Sequence, residues 1–125
     1  MKVFIDTNVL ISAALNPAGV AAAAYAKAVM PPNKAVISEQ NVEELLRIFS
    51  RNFPERLPAL KRFFEEVVNE LKIDAVPEAV SDSESLLRAA IKAQADVLLT
   101  GDKDFLDSGI ENPIILSPSE FIRMH

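Results

Sequence analysis

Residues 97–105 read VLLTGDKDF, and residues 2–8 read KVFIDTN. Each segment is a short, mostly apolar run that leads into an aspartate, Asp102 in the first and Asp6 in the second. Runs of this kind are typical of strands that are buried on both faces, as in parallel sheets. The two segments therefore predict two core strands that bring acidic residues to one edge of a sheet.

The rest of the sequence alternates between strand-like and helix-like segments. Short apolar runs predict further strands at 35–37, 73–76 and 114–116. Apolar positions at helical spacing predict helices between the strands, most clearly at 38–53 and 81–95. This alternation predicts a three-layer α/β/α sandwich with a central parallel sheet of four to five strands. No linker or repeat interrupts the sequence, so we expect a single domain over residues 1–125.

Composition limits the chemistry that such a domain can perform. The chain has 125 residues, a net charge of −5, one histidine and no cysteine. The lack of cysteine excludes disulfides, thiolate metal sites and a cysteine nucleophile, and the single terminal histidine argues against a Ser-His-Asp triad. No apolar run reaches the ~20 residues of a membrane span, and the charged start does not resemble a secretory signal. We therefore expect a soluble cytoplasmic protein whose chemistry depends on carboxylates and an oxygen-liganded metal ion.

Several acidic residues are candidates for the predicted sheet edge. They are Asp6 and Asp102 after the two strands, Glu44 on the rim of an apolar helix stripe, and Asp82 and Glu84 at the start of a later helix. Each also has a structural interpretation, because aspartate is a favourable helix N-cap and Ser81-x-x-Glu84 matches a capping box. Neighbouring carboxylates repel one another, and a cation between them removes that cost. These acidic residues therefore predict a metal site, in addition to the structural role that each of them can have.

Other residues at the same edge are expected to support such a site. Thr7 and Thr100 supply hydroxyl groups, and Asn8 is placed to donate hydrogen bonds to the first aspartate. Gly101, just past the strand, gives the backbone room to turn or lets a ligand approach closely. Asp104 is an additional acid for which we expect a solvent-facing or water-mediated role.

One stretch of this acidic chain is rich in cations. It contains Arg47, Arg51, Arg56, Lys61 and Arg62. The stretch is either a solvated helix surface or a contact for nucleic-acid phosphates. Arg47 and Arg51 follow Glu44 by about one and two helical turns, so they are the pair expected to hold phosphates that flank the acidic site.

Taken together, these motifs resemble those of the PIN domain family. The resemblance is carried by VFIDTNVL at 3–10, by Ser38 with Glu44–Leu45, by the acidic helix start at 82–84 and by LTGDKDF at 99–105. These motifs cover nearly the whole chain in the family's order and spacing. Within the family, the chain resembles the stand-alone prokaryotic members that are toxin components of toxin–antitoxin systems.

The resemblance implies an α/β/α fold and a ribonuclease that depends on Mg²⁺ or Mn²⁺. By position, the implied catalytic and metal-binding carboxylates are Asp6, Glu44, Glu84 and Asp102, with Asp82 as the alternative third acid and Asp104 as an extra ligand. Single-stranded RNA is the expected substrate, because its backbone enters a small cleft more easily than a duplex does. A small antitoxin protein and a second copy of the chain are the partners that the resemblance implies.

Other functions remain open at this point. A housekeeping RNA-processing nuclease of the same family would use the same acids, and a non-catalytic scaffold or binding protein would keep the fold without the activity. A phosphorylatable receiver domain is also a small acidic α/β protein. It requires an acceptor aspartate after a middle strand and a lysine after a late strand, whereas these strands end in Val76-Pro77 and Leu116-Ser117.

Overall fold

The computed structural model describes residues 1–59, 61–62, 74–76 and 83–124. Its sheet consists of β1 (Lys2–Ile5), β2 (Lys34–Ser38), β3 (Asp74–Val76), β4 (Val97–Leu99) and β5 (Ile114–Leu116). The helices include α1 (Thr7–Leu15), α2 (Val20–Val29), α3 (Glu39–Asn52), α4 (Ser83–Lys92), α5 (Lys103–Leu106) and α6 (Pro118–Met124), and a 3₁₀ helix spans Pro54–Arg56. Strands and helices alternate along the chain, which confirms the predicted α/β class.

The sheet is parallel throughout, with the strand order β3-β2-β1-β4-β5. The chain moves outward from β1 through β2 to β3 and then returns to the other side of β1 to form β4 and β5. The carboxyl ends of β1 and β4 therefore flank the switch point, where open α/β sheets bind their ligands. Ile5 pairs with Leu99 in the register, so the following residues, Asp6 and Thr100, leave the sheet side by side.

Two apolar clusters hold these strand ends from opposite faces of the sheet. Val3 and Ile5 belong to a buried cluster with α1, α2 and Phe121 of α6. Phe4 and Leu98 point to the other face and belong to a cluster with α4. Burial of each large apolar side chain contributes about 1.5–3 kcal/mol, so both faces anchor the central strands. The result is the predicted three-layer arrangement with its core on both sides of β1 and β4.

Helix α4 ends at Lys92, earlier than the predicted end at 95. Gln94 has a φ of 57°, and its N–H donates to the Ile91 carbonyl at 2.9 Å. The Ala95 N–H donates to the Ala90 carbonyl at 3.0 Å. These two bonds and the left-handed residue form a Schellman ending, a conformation that glycine usually provides. The sequence has glutamine there, so it gave no signal for this helix end.

The apolar helices near the N-terminus pack in the core of the sandwich. Leu10 of α1 and Ala24 of α2 are both buried. Within the described ranges, no single helix has the length and hydropathy of a membrane span. Helices α1 and α2 reach that length and hydropathy only when taken together, and the chain bends by 116° between them.

Candidate active site

Asp6 joins β1 to α1 and is the N-cap residue of that helix. Its Oδ1 atom accepts a hydrogen bond from the Asn8 backbone N–H at 3.2 Å. Only 8% of Asp6 is exposed, which is uncommon for a carboxylate. The N-cap interpretation of this residue is therefore correct. The hydrogen bond expected from Asn8 is donated by its backbone.

Asp102 repeats this local geometry at the other central strand. It follows β4 after Thr100 and Gly101 and is the N-cap residue of α5. Its Oδ1 atom accepts a hydrogen bond from the Asp104 backbone N–H at 3.0 Å. The residue is half-buried, so it is more accessible than Asp6. The helix-cap hydrogen bond uses one oxygen of each aspartate. The same residue can therefore cap a helix and also act as a functional acid.

Thr100 connects the two aspartates through its hydroxyl group. Its Oγ1 atom donates to Asp6 Oδ2 at 2.8 Å and accepts from the Asp102 backbone N–H at 3.1 Å. Thr100 is fully buried. A hydroxyl has one proton to donate, and that proton goes to Asp6, because an ionised carboxylate can only accept and the Asp102 N–H can only donate. The side chain at one strand end thus fixes the carboxylate of its neighbour and the backbone of the following turn.

The oxygen atoms at this edge fit a small divalent cation. Mg²⁺ and Mn²⁺ prefer carboxylate, hydroxyl and water oxygens, and they keep several waters in their coordination shells. Asp6 is a buried carboxylate whose described hydrogen-bond partners, the Asn8 N–H and the Thr100 hydroxyl, are both neutral. Its two oxygens retain further acceptor capacity beyond these bonds, since a carboxylate offers about four lone-pair sites. A buried carboxylate without a positive partner is costly, and a bound cation removes that cost.

The other acids are described less completely. Glu44 lies within α3 and Glu84 within α4, and their description is limited to the backbone. Asp82 lies outside the described residues. Among the side chains that are described, no group of three acidic or histidine residues surrounds a common point. The described site is therefore a pair, Asp6 and Asp102, and the four-acid cluster stays a prediction.

The predicted supporting residues fall into two groups. Thr7 is the first residue of α1 and is half-buried beside Asp6, and Asp104 is exposed in the first turn of α5. Arg47 and Arg51 are both exposed on α3. The exposure of these cations is compatible with both interpretations of the basic stretch.

The third strand of this half of the sheet ends differently. Ser117 follows β5, and its backbone N–H donates to Glu120 Oε1 at 3.1 Å while the Glu120 N–H donates to Ser117 Oγ at 3.2 Å. This reciprocal pair is a capping box at the start of α6. The bond from the Ser117 backbone, and then that with its side chain, lowers the pKa of Glu120 below its ordinary value. A serine therefore provides the cap here, and the carboxylate at this strand end belongs to Glu120 and is engaged in the capping box.

A cavity of about 380 Å³ opens next to Asp102. Asn8, Val9 and Ser12 form its α1 wall, and Ala21 and Pro118 close the side toward α2 and α6. Gly101 lies at its border with the acidic pair. Ser12 belongs to no motif in the sequence, although its position four residues after Asn8 places both on one face of α1.

Comparison with known proteins gives one clear match. The sequence pattern of the family described as PIN domain matches residues 2–104. This range contains both strand ends, Thr100 and the cavity residues of α1. No curated protein matches the chain, and no solved structure does.

Proposed function

The chain belongs to the PIN domain family, whose members are in general nucleases, and on that premise we propose that it is a metal-dependent ribonuclease. The observation that carries the proposal is the hydroxyl-linked aspartate pair at the switch point of the sheet. Asp6 and Asp102 come from different strands, yet Thr100 bonds to the carboxylate of one and the backbone of the other. Such convergence favours a shared ligand over two independent helix caps.

Asp6 and Asp102 are the residues that would hold the divalent ion, Mg²⁺ or Mn²⁺, in this proposal. Glu44 and Glu84 are the proposed additional ligands, with Asp82 as the alternative to Glu84 and Asp104 as an outer contact. When bound, the ion supplies positive charge for a phosphodiester oxygen and lowers the pKa of a water molecule. Thr100 orients Asp6 by a fixed hydrogen bond, and the two backbone N–H groups orient one oxygen of each aspartate.

RNA in single-stranded form is the proposed substrate. The net charge of the chain is −5, so we do not expect a broad positively charged surface that would bind the phosphates of a duplex. The exposed Arg47 and Arg51 on α3 offer local contacts for flanking phosphates. Substitution of both arginines by glutamine should weaken binding uniformly across RNA sequences, as expected for contacts to the backbone.

We propose further that the nuclease is the toxin component of a toxin–antitoxin pair. In this view it acts in the cytoplasm as a single domain of residues 1–125, forms a homodimer and binds a small antitoxin protein. Induced expression of the chain should arrest growth, whereas an Asp6→Asn variant at equal expression should not. Normal growth with an active nuclease would favour a housekeeping role in RNA processing.

The nuclease proposal is tested by neutralising each aspartate separately. Asp6→Asn and Asp102→Asn keep an acceptor oxygen for the helix cap but remove the charge that a metal ion requires. Each should lower the rate of Mn²⁺-dependent RNA cleavage by about 10²–10³-fold, the range for loss of one charge-stabilising group. Asp107→Asn is the matched control, because Asp107 is an exposed aspartate at the far end of α5.

Cleavage is measured on labelled single-stranded RNA with purified protein, and circular dichroism checks that each variant is folded. Retained activity in either Asn variant would contradict the proposed site. A folded wild-type protein that cleaves no RNA in Mn²⁺ or Mg²⁺ would instead favour a non-catalytic binding or scaffold protein.

A further inference from the structure

The cavity beside Asp102 differs chemically from the acidic pair. Its volume of about 380 Å³ lies in the lower part of the range for small-molecule sites, about 300–1,000 Å³. Among the described residues that line it, one is acidic and none is lysine or arginine. A phosphate group would meet a carboxylate there and no cation. The cavity is therefore suited to an uncharged part of a ligand.

One wall of the cavity can make directional hydrogen bonds. Asn8 and Ser12 lie one helical turn apart on α1, so their side chains share a face. Both are exposed, and within the described part of the chain neither side chain has a hydrogen-bond partner. An amide offers two donors and an acceptor, and a hydroxyl offers both functions. The side chains of Asn8 and Ser12 can therefore form hydrogen bonds with the polar edge of a ligand.

The other described residues that line the cavity, apart from Gly101 and Asp102, are apolar. Val9 and Ala21 are almost fully buried, and Pro118 adds a half-buried ring. A flat, weakly polar ring lies well against such a surface, with its edge toward α1. The combination of apolar side chains with an amide and a hydroxyl fits a nucleobase, which has an apolar face and a polar edge.

Gly101 lines the cavity next to Asp102 and leaves open space there. Its φ lies outside the left-handed region, so the backbone does not require glycine. A Cβ atom at this position would have no heavy atom within 4 Å among the described residues, apart from its chain neighbours, so packing does not require glycine either. A side chain here would occupy open space at the cavity border. Glycine at such a position indicates close approach of a ligand.

We propose that this cavity binds one unpaired nucleoside of the RNA strand, next to the phosphodiester that the divalent ion proposed at Asp6 and Asp102 would hold. The inference rests on the proposed nuclease function and adds to it a base-reading subsite. Asn8 and Ser12 contact the edge of the base, and Val9, Ala21 and Pro118 contact its face. The subsite makes the enzyme selective for the base at one position beside the cleaved bond, because the amide and hydroxyl wall discriminates between base edges.

The test measures binding apart from cleavage. An Asp6→Asn protein is titrated, by fluorescence anisotropy, against fluorescein-labelled hexanucleotides of A, C, G or U. Ser12→Leu fills the cavity from α1, and Gly101→Val fills the open space beside Asp102, each in the Asp6→Asn background. Ala26→Leu is the matched control, since Ala26 is exposed on α2 outside the cavity.

We expect one homopolymer to bind more tightly than the others. Ser12→Leu and Gly101→Val should each weaken that binding by about tenfold, the effect of losing one base contact. Each should also reduce the difference in affinity between the four hexanucleotides. Ala26→Leu should leave both affinity and preference unchanged. Ser12→Leu lies on a solvent-exposed helix face, so it gives a readout even where Gly101→Val perturbs the fold.

Two results would overturn the subsite. One is equal affinity and preference in the parent and both cavity variants, and the other is no binding of any hexanucleotide. Cavity-dependent binding by a chain whose wild-type form cleaves no RNA would overturn the nuclease function and leave the subsite in place. The two proposals therefore fail in distinguishable ways.

Discussion

The β1–α1 and β4–α5 junctions share a local design but differ in their surroundings. In each, an aspartate after a buried strand caps the next helix, and its Oδ1 atom accepts from the backbone N–H two residues later. Asp6 is almost fully buried and receives a second hydrogen bond from Thr100, whereas Asp102 is half-buried. At both junctions the helix-cap bond uses one oxygen of the aspartate, and because a carboxylate offers about four lone-pair sites, capping does not exclude a second role.

The two junctions should contribute alike to metal binding, despite their different burial. A ligand that binds only the folded state stabilises it by about 2.7 kcal/mol at one hundred times its Kd. We expect Mn²⁺ to raise the thermal midpoint of the wild-type protein accordingly, and both Asp6→Asn and Asp102→Asn to reduce that rise. Differential scanning fluorimetry over an Mn²⁺ titration measures it. If Mn²⁺ raised the thermal midpoint of either variant as much as that of the wild-type protein, the two junctions would not contribute alike to metal binding.

The link between the junctions depends on the Thr100 hydroxyl. Thr100→Val keeps the shape but leaves Asp6 Oδ2 and the Asp102 N–H without this partner in a buried place. We expect a loss of about 1–3 kcal/mol in the free energy of unfolding, together with weaker Mn²⁺ binding. Chemical denaturation and Mn²⁺ titration measure the two effects.

Thr100→Ser is the control for this prediction, because it keeps the hydroxyl and loses one methyl group, about 0.8 kcal/mol. Ser should preserve the Mn²⁺ affinity and Val should not. Equal Mn²⁺ affinity in both variants would show that the Thr100 hydroxyl does not contribute to metal binding and that Thr100 acts only through packing.

Capping and metal binding can be separated at Asp102. Asp102→Ser retains a side-chain oxygen that accepts from the Asp104 N–H, and Asp102→Ala does not. In metal-free buffer we expect the Ser variant to be the more stable by about 1 kcal/mol, the usual value of an N-cap. Neither variant should cleave RNA, because neither has the carboxylate. Cleavage by the Ser variant would mean that the site requires the helix cap at this position but not the Asp102 carboxylate.

The smallest effect is expected at the β5–α6 junction, where a serine replaces the aspartate. The hydrogen bonds with Ser117 depress the folded-state pKa of Glu120. Its contribution to stability is therefore present above the pKa of the unfolded chain and is lost as the pH falls through the lower folded-state pKa. Glu120→Gln should flatten the acid side of the pH–stability curve slightly and leave RNA cleavage unchanged. A change in metal-dependent cleavage would show that this third strand end belongs to the site.

Much of the fold was predictable because its signals are local. The apolar runs at 2–5 and 97–99 are strands, and the positions of Asp6 and Asp102 followed from the rule that parallel strands end at one edge. The end of α4 was not predictable, since Gln94 adopts a left-handed conformation without the glycine that usually signals it. Two backbone hydrogen bonds accompany that conformation, from the Gln94 N–H to the Ile91 carbonyl and from the Ala95 N–H to the Ala90 carbonyl.

The placement of Asp6, Thr100 and Asp102 at one edge of the sheet was predictable, but the hydrogen bonds that connect them were not. Sequence spacing placed Thr100 near the aspartates, but the direction of its hydrogen bond depends on the register between β1 and β4. The cavity depends on how α1 packs against α2 and α6, so no single segment encodes it. Ser12 becomes a candidate only when Asn8, Gly101 and Pro118 are seen around the same space.

The central claim is that Asp6 and Asp102 hold one divalent cation in common. A crystal structure of the protein soaked in Mn²⁺, with anomalous diffraction at the manganese edge, tests it most directly. We predict an anomalous peak with oxygen atoms of both aspartates at coordination distance and with the Thr100 bond to Asp6 retained. A peak that contacts neither aspartate, or no peak while both carboxylates remain engaged only as helix caps, would contradict the account.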